Sequence, residues 1–313
     1  MRRRGLEATI LLVVVAVVAG VALSAGATPH RHPGGQRRVA ERTRQVTPQP
    51  PMPPTTRGPG RLFTVYFYSA ALHRRADYLV YLPAGYTPSR RLPVFYLLHG
   101  MPGRPMAFTL NAHTESKLEE LIRLHEVRPM ILVFPDGRIG GRTATDSEWA
   151  NTRAGRFESY VVDVVHNVDQ RFATLADRRH RAIAGLSAGA YGAANVGLHQ
   201  VALFGLIQVW SGYFLQTPTG VFARATPAQL SANSPLEYAY AMGPTLKRYP
   251  LRIFIYTGTH DSDRFQTPPM AAALRAVGAH VGSAIYRGGH SWNLWSPRVD
   301  QMLIMASRFF SSP

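Results

Sequence analysis

The chain has 313 residues, a formal net charge of +17 and no cysteine, so disulfides, thiol nucleophiles and thiolate metal sites are excluded. With 46% hydrophobic and 17% charged residues, the sequence can bury the core of one large domain. Residues 61–313 keep a net charge of +10, but no basic run is interleaved with aromatic residues there. We therefore expect no nucleic-acid partner.

The N-terminus resembles an export signal. Arg2-Arg3-Arg4 precedes an apolar segment from Ala8 to Ala27, and Ala25-Gly26-Ala27 offers small residues for cleavage. Residues 1–27 are therefore predicted to be a signal peptide or, if uncut, an N-terminal membrane anchor. In the second case residues 8–27 are the predicted membrane contact. Both alternatives predict a protein that is secreted or anchored on the outer face of the cytoplasmic membrane.

Residues 28–60 differ in composition from the rest of the chain. They are rich in Pro, Arg, Thr and Gln, a composition that favours extended chain and cannot bury a core. We interpret them as a disordered linker, which leads into one catalytic domain over residues 61–313 without internal repeats.

Apolar runs typical of strands alternate with segments of helical period after residue 61. This alternation predicts an α/β fold with a mostly parallel sheet covered by helices on both faces. The predicted strands lie at 62–67, 77–82, 93–98, 130–134, 181–184, 206–210, 252–256 and 281–286, and the predicted helices at 115–124, 157–172, 190–196, 267–278 and 296–310.

A strand, a sharp turn and a helix meet at Gly185-Leu186-Ser187-Ala188-Gly189, a G-x-S-x-G pentapeptide. In this context the pentapeptide predicts a nucleophile elbow, a strained turn that presents the Ser187 hydroxyl above the end of the sheet. The two glycines are expected where the turn forces a close approach of neighbouring backbone. Ser187 is therefore the predicted nucleophile.

The hydroxyl of Ser187 needs a base that removes its proton. His290 comes after a predicted strand on a glycine-flanked loop and is the predicted general base. Asp261 comes after the preceding strand and is predicted to orient the imidazole, with Asp263 as an open alternative. Asp136 also ends a strand but precedes the serine in the chain, and we interpret it as a turn residue.

A tetrahedral oxyanion requires two backbone N–H groups. Ala188 comes directly after the nucleophile and supplies one. Met101 is predicted to supply the other, because it comes after His99-Gly100 and because Pro102 has no N–H. His99 is expected to pack beside this loop.

Aromatic residues near the site leave two interpretations open. Trp149, Trp292, Trp295 and Tyr213 could form a substrate-binding wall, or the tryptophans could be buried in the core. No metal-binding motif is found, since His30 and His32 lie in the linker and H-E-x-x-H is absent. We expect neither a metal nor a cofactor.

Several segments together resemble one family. The His99-Gly100 step after a strand and the segments VFPDG, IAGLSAGAYGA, GTHD and GGHSWNLW are similar to the esterase D branch of the α/β hydrolases. That branch includes feruloyl esterases, enterochelin esterases and secreted mycolyltransferases. The resemblance covers about residues 61–310. It implies the α/β-hydrolase fold and cofactor-free cleavage or transfer of an acyl group, with Ser187, Asp261 and His290 as triad and Met101 and Ala188 at the oxyanion positions.

Three functions are compatible with these residues. The first is an exported serine esterase that hydrolyses small-molecule, lipid or carbohydrate esters through an acyl-enzyme. The second is an acyltransferase that moves the acyl chain to a sugar or lipid alcohol, as the mycolyltransferase resemblance implies. The third is a binding module on an inactive hydrolase scaffold. An ordered triad favours the first two.

Overall fold

A computed structural model of the chain describes residues 58–141 and 145–312. The predicted signal or anchor and nearly all of the predicted linker lie outside these residues. The strands of the described residues are β1 (Arg61–Ser69), β2 (Arg74–Leu82), β3 (Val94–Leu98), β4 (Ile131–Pro135), β5 (Asn151–Thr152), β6 (Gly155–Arg156), β7 (Arg181–Leu186), β8 (Leu206–Trp210), β9 (Arg252–Gly258) and β10 (His280–Tyr286).

Eight of these strands form one sheet in the order β1-β2-β4-β3-β7-β8-β9-β10. Strand β2 pairs antiparallel with both β1 and β4, and the other pairings are parallel. Strands β3, β4, β7 and β8 are buried along their whole length, as continuous apolar runs inside a parallel sheet should be. The expectation of a mostly parallel sheet is confirmed.

The α-helices of the described residues are α1 (Ala107–Ala112), α2 (Thr114–Arg123), α3 (Phe157–Arg171), α4 (Ala188–His199), α5 (Pro227–Ala232), α6 (Pro235–Tyr238), α7 (Gly243–Arg248), α8 (Thr267–Ala276), α9 (Trp292–Trp295) and α10 (Val299–Phe310). Helices α3, α4 and α8 pack on one face of the sheet and α1, α2 and α10 on the other, so that each face has its own apolar core. No helix of the described ranges is both long and apolar enough to cross a bilayer.

Helix α4 is buried from Ala188 to Leu198, which explains its small residues. A helix that is covered on all sides needs no polar face, and Ala and Gly let it approach strands β7 and β8 closely. The sequence placed this helix and the other long helices correctly to within a few residues. It missed α1, α9 and the short helices α5 to α7 between β8 and β9, because such short segments have no long apolar period.

Candidate active site

Four neighbouring strands end at one edge of the sheet, and beyond the end of each lies one polar residue of the site. Ser187 comes after β7, Ser211 after β8, Asp261 just beyond β9, and His290 beyond β10. Because these strands are parallel, their carboxyl ends lie side by side, which is where ligand sites of such sheets form. The fold therefore brings together residues from widely separated parts of the chain.

The turn at Ser187 is strained. Its φ and ψ are 57° and −124°, a conformation that side-chain-bearing residues rarely adopt. A Cβ on Gly185 would lie 2.1 Å from the carbonyl oxygen of Gly189, and a Cβ on Gly189 would lie 2.0 Å from that of Leu98. Both glycines are thus required for steric reasons, as the sequence predicted.

Ser187, His290 and Asp261 are joined by two hydrogen bonds. The imidazole Nε2 of His290 lies 2.7 Å from the Oγ of Ser187, and its Nδ1 lies 2.5 Å from Oδ1 of Asp261. Since a carboxylate only accepts, Nδ1 carries the proton and Nε2 is free to accept the hydroxyl proton of Ser187. This is the arrangement by which a base activates a serine.

The carboxyl group of Asp261 is 2% exposed. Burial alone would raise its pKa, but hydrogen bonds from His290 and Ser211 outweigh burial and lower the pKa to about 2. The backbone N–H of Gly258 also donates to Oδ2, at 3.2 Å. Asp261 is therefore ionised over the range in which an imidazole acts as a base.

Ser211 is a site residue that the sequence analysis missed. It has a φ of 57°, and its Oγ accepts a hydrogen bond of 2.9 Å from Nε1 of Trp295 while contacting the carboxylate of Asp261. The ring of Trp295 also packs edge-on against that of His290, with centroids 5.0 Å apart. Trp295 and Ser211 thus hold the acid and the base together. The position of Ser211 directly after a buried strand was the available signal.

Asp263, the alternative acid, points elsewhere. Its carboxylate accepts hydrogen bonds from the hydroxyl of Ser262 and from Nε2 of Gln266. Of the two aspartates, the fold brings Asp261 to the imidazole of His290.

Met101 and Ala188, the predicted oxyanion donors, lie on two segments that run beside Ser187. A Cβ on Gly100 would lie 2.9 Å from Cβ of Ser187, so the loop that carries Met101 passes directly beside the nucleophile. Ala188 is the first residue of α4, and the N–H groups of a first helical turn have no acceptor within the helix. Both segments therefore border Ser187, and the use of their N–H groups as oxyanion donors stays a prediction.

His99 holds the loop of Gly100 and Met101 in place through hydrogen bonds. The backbone N–H of Gly137 donates to its Nε2 at 3.0 Å, so Nδ1 carries the proton and donates to the carbonyl of Gly100, also at 3.0 Å. His99 is 1% exposed and lies beside the loop, as expected. Asp136, interpreted as a turn residue, accepts the backbone N–H and the guanidinium of Arg138.

A cavity of about 750 Å³ opens beside Met101, a size typical of ligand sites. We call it the cleft, and its lining includes Met101, Ile139, Asp146, Glu148, Arg153, Gln216, Val221 and Arg224. Tyr213 donates a hydrogen bond to the carboxylate of Glu148, and its ring stacks on that of Tyr191. Burial raises the pKa of Glu148, an effect that this hydrogen bond only partly offsets.

The three tryptophans do not form one substrate-binding wall. The expectation is wrong for Trp149, which is fully buried, donates its N–H to the carbonyl of His99 and packs against Gly192. Trp295 is 5% exposed and contacts His290 rather than the cleft. Trp292 is partly buried between Phe108 and Trp295. Large aromatic rings beside a parallel sheet gain most by burial, which explains the outcome.

Metal and cofactor sites were not expected, and the described ranges contain no group of three His, Asp or Glu side chains that could hold a metal ion.

Comparisons with known proteins identify the family of the chain. The family model described as "Putative esterase" matches residues 69–306, more than half of the chain. The chain belongs to this esterase family. It has the α/β-hydrolase fold, and the resemblance to the esterase D branch is confirmed.

Individual relatives are more distant. An endo-1,4-beta-xylanase/feruloyl esterase of Xylanibacter ruminicola is 29% identical over 167 residues, which are 49% of this chain and 22% of that protein. The matched segment thus spans about a fifth of the relative's length. A solved ferulic acid esterase superposes with a TM-score of 0.71 and 24% identity, over 81% of this chain and 99% of that one. A solved S-formylglutathione hydrolase of Staphylococcus aureus superposes with a TM-score of 0.65 and 17% identity, over 80% of this chain and 100% of that one.

Proposed function

We propose that this esterase is an exported serine hydrolase that cleaves carboxylic esters through an acyl-enzyme on Ser187. The observation that carries the proposal is the pair of hydrogen bonds from Ser187 to His290 and from His290 to Asp261. A serine, an imidazole and a buried carboxylate in this order form a nucleophile, a general base and an orienting acid.

The first half-reaction is built from these contacts. Oγ of Ser187 attacks the ester carbonyl while Nε2 of His290 takes its proton. The negative charge that develops on the carbonyl oxygen is stabilised by the N–H groups of Met101 and Ala188. When the tetrahedral intermediate collapses, the imidazolium gives the proton to the leaving alcohol and the acyl group remains on Ser187.

Deacylation repeats these steps with water as the nucleophile. The side chain of His290 is 39% exposed, so water reaches the base directly. This exposure favours hydrolysis over transfer to a sugar or lipid alcohol, because a transferase must keep water away from its acyl-enzyme. An acyl-transfer product formed in the presence of added alcohols would favour the transferase instead.

Aromatic acid esters are the proposed substrate class. Two of the proteins compared above are named as feruloyl or ferulic acid esterases, and the cleft is large enough for a phenylpropenoyl group. Hydrolysis of methyl ferulate should therefore be compared with that of p-nitrophenyl esters of increasing chain length. A marked preference for the alkyl series would contradict this assignment.

The proposed mechanism is tested on a protein of residues 58–313 and on the full chain. We expect both to hydrolyse p-nitrophenyl butyrate and to be labelled by a fluorophosphonate probe. Ser187→Ala should lose the label and about four or more orders of magnitude in kcat. Ser262→Ala, which removes an exposed hydroxyl bonded to Asp263, is the matched control and should keep both. Full activity of Ser187→Ala would refute the mechanism.

Export is proposed from Arg2-Arg3-Arg4 and the apolar segment 8–27. Fractionation of cells that express the full chain should place the protein outside the cytoplasm. Intact-mass analysis of the recovered protein should show whether cleavage occurs near Ala27. A protein found wholly in the cytoplasm would contradict the proposal.

A further inference from the structure

A second cavity lies next to the cleft. This cavity has a volume of about 300 Å³ and shares Arg153, Val221, Phe222 and Arg224 with the cleft. Because Met101, Val221 and the two arginines all line the cleft itself, a ligand in the cleft can extend from Met101 past Val221 to Arg153 and Arg224. We call the region around Arg153 and Arg224 the outer end of the cleft.

Unpaired positive charge collects at this outer end. Arg153 and Arg224 line both cavities, and Arg156 lines the second one. All three side chains are exposed, and within the described residues none of them has an ion pair or a hydrogen bond to its guanidinium. Other arginines of the domain, such as Arg138 and Arg181, are paired with a carboxylate. The outer end therefore presents guanidinium groups whose N–H donors are available to a ligand.

The backbone that carries these arginines is well anchored. Arg153 lies in the turn of the hairpin formed by β5 and β6, and this hairpin is tied to α3 through two hydrogen bonds between Asn151 and Ser159. Arg224 lies between the buried Phe222 and the capping box that begins α5 at Thr226. Two fixed elements thus hold one arginine each at the cavity wall, which lowers the entropic cost of binding a ligand between them.

The inner end of the cleft has the opposite character. Asp146 and Glu148 line it, and both carboxyl groups are largely buried, Glu148 bonded to Tyr213 and Asp146 accepting the backbone N–H of Glu148. An anionic group would be repelled there and attracted to the guanidinium groups. The charge pattern therefore orients a ligand with its anion outward and its uncharged part inward.

We propose that Arg153 and Arg224 form an anion subsite, and that the preferred substrates are esters that carry a carboxylate or phosphate several bonds from the ester carbonyl. Guanidinium groups bind both anions through paired N–H donors. The proposal rests on the proposed esterase function. It adds the class of substrate, namely an acidic ester such as that of a uronic acid, a polyol phosphate or a dicarboxylic acid.

The test uses two matched pairs of esters. Mono-p-nitrophenyl adipate and p-nitrophenyl valerate differ by a carboxylate on the acyl group, and 4-carboxybutyl ferulate and butyl ferulate differ by one on the alcohol. We expect the anionic member of one pair to have a kcat/KM at least about tenfold higher, as a charge-assisted hydrogen bond would give. A preference within the adipate and valerate pair would show that the outer end receives the acyl group. A preference within the ferulate pair would show that it receives the alcohol.

The variants Arg153→Gln, Arg224→Gln and the double variant identify the residues responsible. In the double variant the ratio of kcat/KM for the anionic ester to that for the neutral ester should fall to about one. Arg128→Gln is the matched control, because Arg128 is also an exposed arginine without a side-chain partner in the described residues but lies after α2, outside both cavities. Its ratio should equal that of the wild type.

Two results would overturn the subsite. One is the absence of any preference for the anionic esters, and the other is a preference that survives in the double variant. Failure of the esterase function is recognised separately, because then the neutral esters are not hydrolysed and Ser187 is not labelled. In that case isothermal titration calorimetry measures the affinity of 4-carboxybutyl ferulate for the Ser187→Ala protein, with the two arginines present and with both changed to Gln. Equal affinities of these two proteins would overturn the proposal.

Discussion

The two ends of the active-site region are built in opposite ways. At the sheet edge, Ser187, Ser211 and Asp261 are held by backbone strain, burial and hydrogen bonds to neighbouring strands. At the outer end of the cleft, Arg153 and Arg224 project from a hairpin and a loop, exposed and without partners among the described residues. We therefore expect substitutions in the first region to be costly and substitutions in the second to leave the core undisturbed.

This difference separates the chemistry from the choice of substrate. Ester cleavage needs atoms placed within a few tenths of an ångström, and strands fix them better than loops do. Recognition of a distant group requires only charge of the right sign on an anchored surface. Substitutions and changes of pH and salt can test this division, and their expected effects decrease from the sheet edge outward.

The largest effect is expected at the sheet edge. Asp261→Asn should lower kcat by about two to four orders of magnitude, because an amide can no longer hold the imidazole tautomer or stabilise the imidazolium. Asp263→Asn removes the neighbouring carboxylate, which contacts Ser262 and Gln266 instead, and should change kcat less than about threefold. Steady-state kinetics decide, and equal losses in both variants would contradict the assignment of the acid.

Backbone packing at the same edge should be the next most sensitive feature. The added Cβ of Gly189→Ala would lie 2.0 Å from the carbonyl oxygen of Leu98, so the elbow must move. We expect a loss of about 3 kcal/mol or more in the free energy of unfolding. Gly243→Ala has its nearest contact 4.0 Å away, at Val277, and should be close to neutral. Thermal denaturation of both variants measures the difference.

Substitutions of the two residues that hold Asp261 in place should have a moderate effect on kcat. Ser211→Ala and Trp295→Phe each remove one member of the hydrogen-bonded series from Trp295 to Ser211 to Asp261. We expect kcat to fall about tenfold in each, with KM nearly constant, and the double variant to lose little more than either one. Fully multiplicative losses would show that the two residues act independently.

A smaller effect should appear in the pH dependence of stability. The pKa of Asp261 is lowered from 3.8 to about 2 in the fold, so its contribution is complete above the unfolded value and is lost as pH falls through the folded value. The difference in unfolding free energy between the wild type and Asp261→Asn should therefore shrink by on the order of 1 kcal/mol from about pH 4 to about pH 2. Urea titrations at both pH values test this, and a constant difference would contradict it.

Salt should act mainly at the outer end. Exposed guanidinium groups are screened as the Debye length falls from about 10 Å at 0.1 M to about 3 Å at 1 M ionic strength. The preference for anionic esters should therefore drop about threefold over this range. The rate on neutral esters depends on the buried site and should change less. An equal salt effect on both kinds of ester would remove the distinction between the two regions.

The sequence was most informative where chemistry depends on local backbone. The elbow could be read from G-x-S-x-G between a strand and a helix, because the turn at Ser187 needs glycines on both sides. His290 and Asp261 could be named because each lies beyond the end of a strand, and parallel strands end at a common edge. The eight strands of the main sheet could also be predicted from their apolar runs.

The contacts between distant segments were decided only by the tertiary structure. Nothing in the sequence distinguishes the roles of Trp149 and Trp295. In the structure, Trp149 is buried beside His99, whereas Trp295 packs against the ring of His290. The choice of Asp261 over Asp263, the role of Ser211 and the separation of acidic and basic ends in the cleft depend on strand register and loop packing. Such contacts leave no local pattern, because they are set by which surfaces the folded sheet brings within a few ångströms of one another.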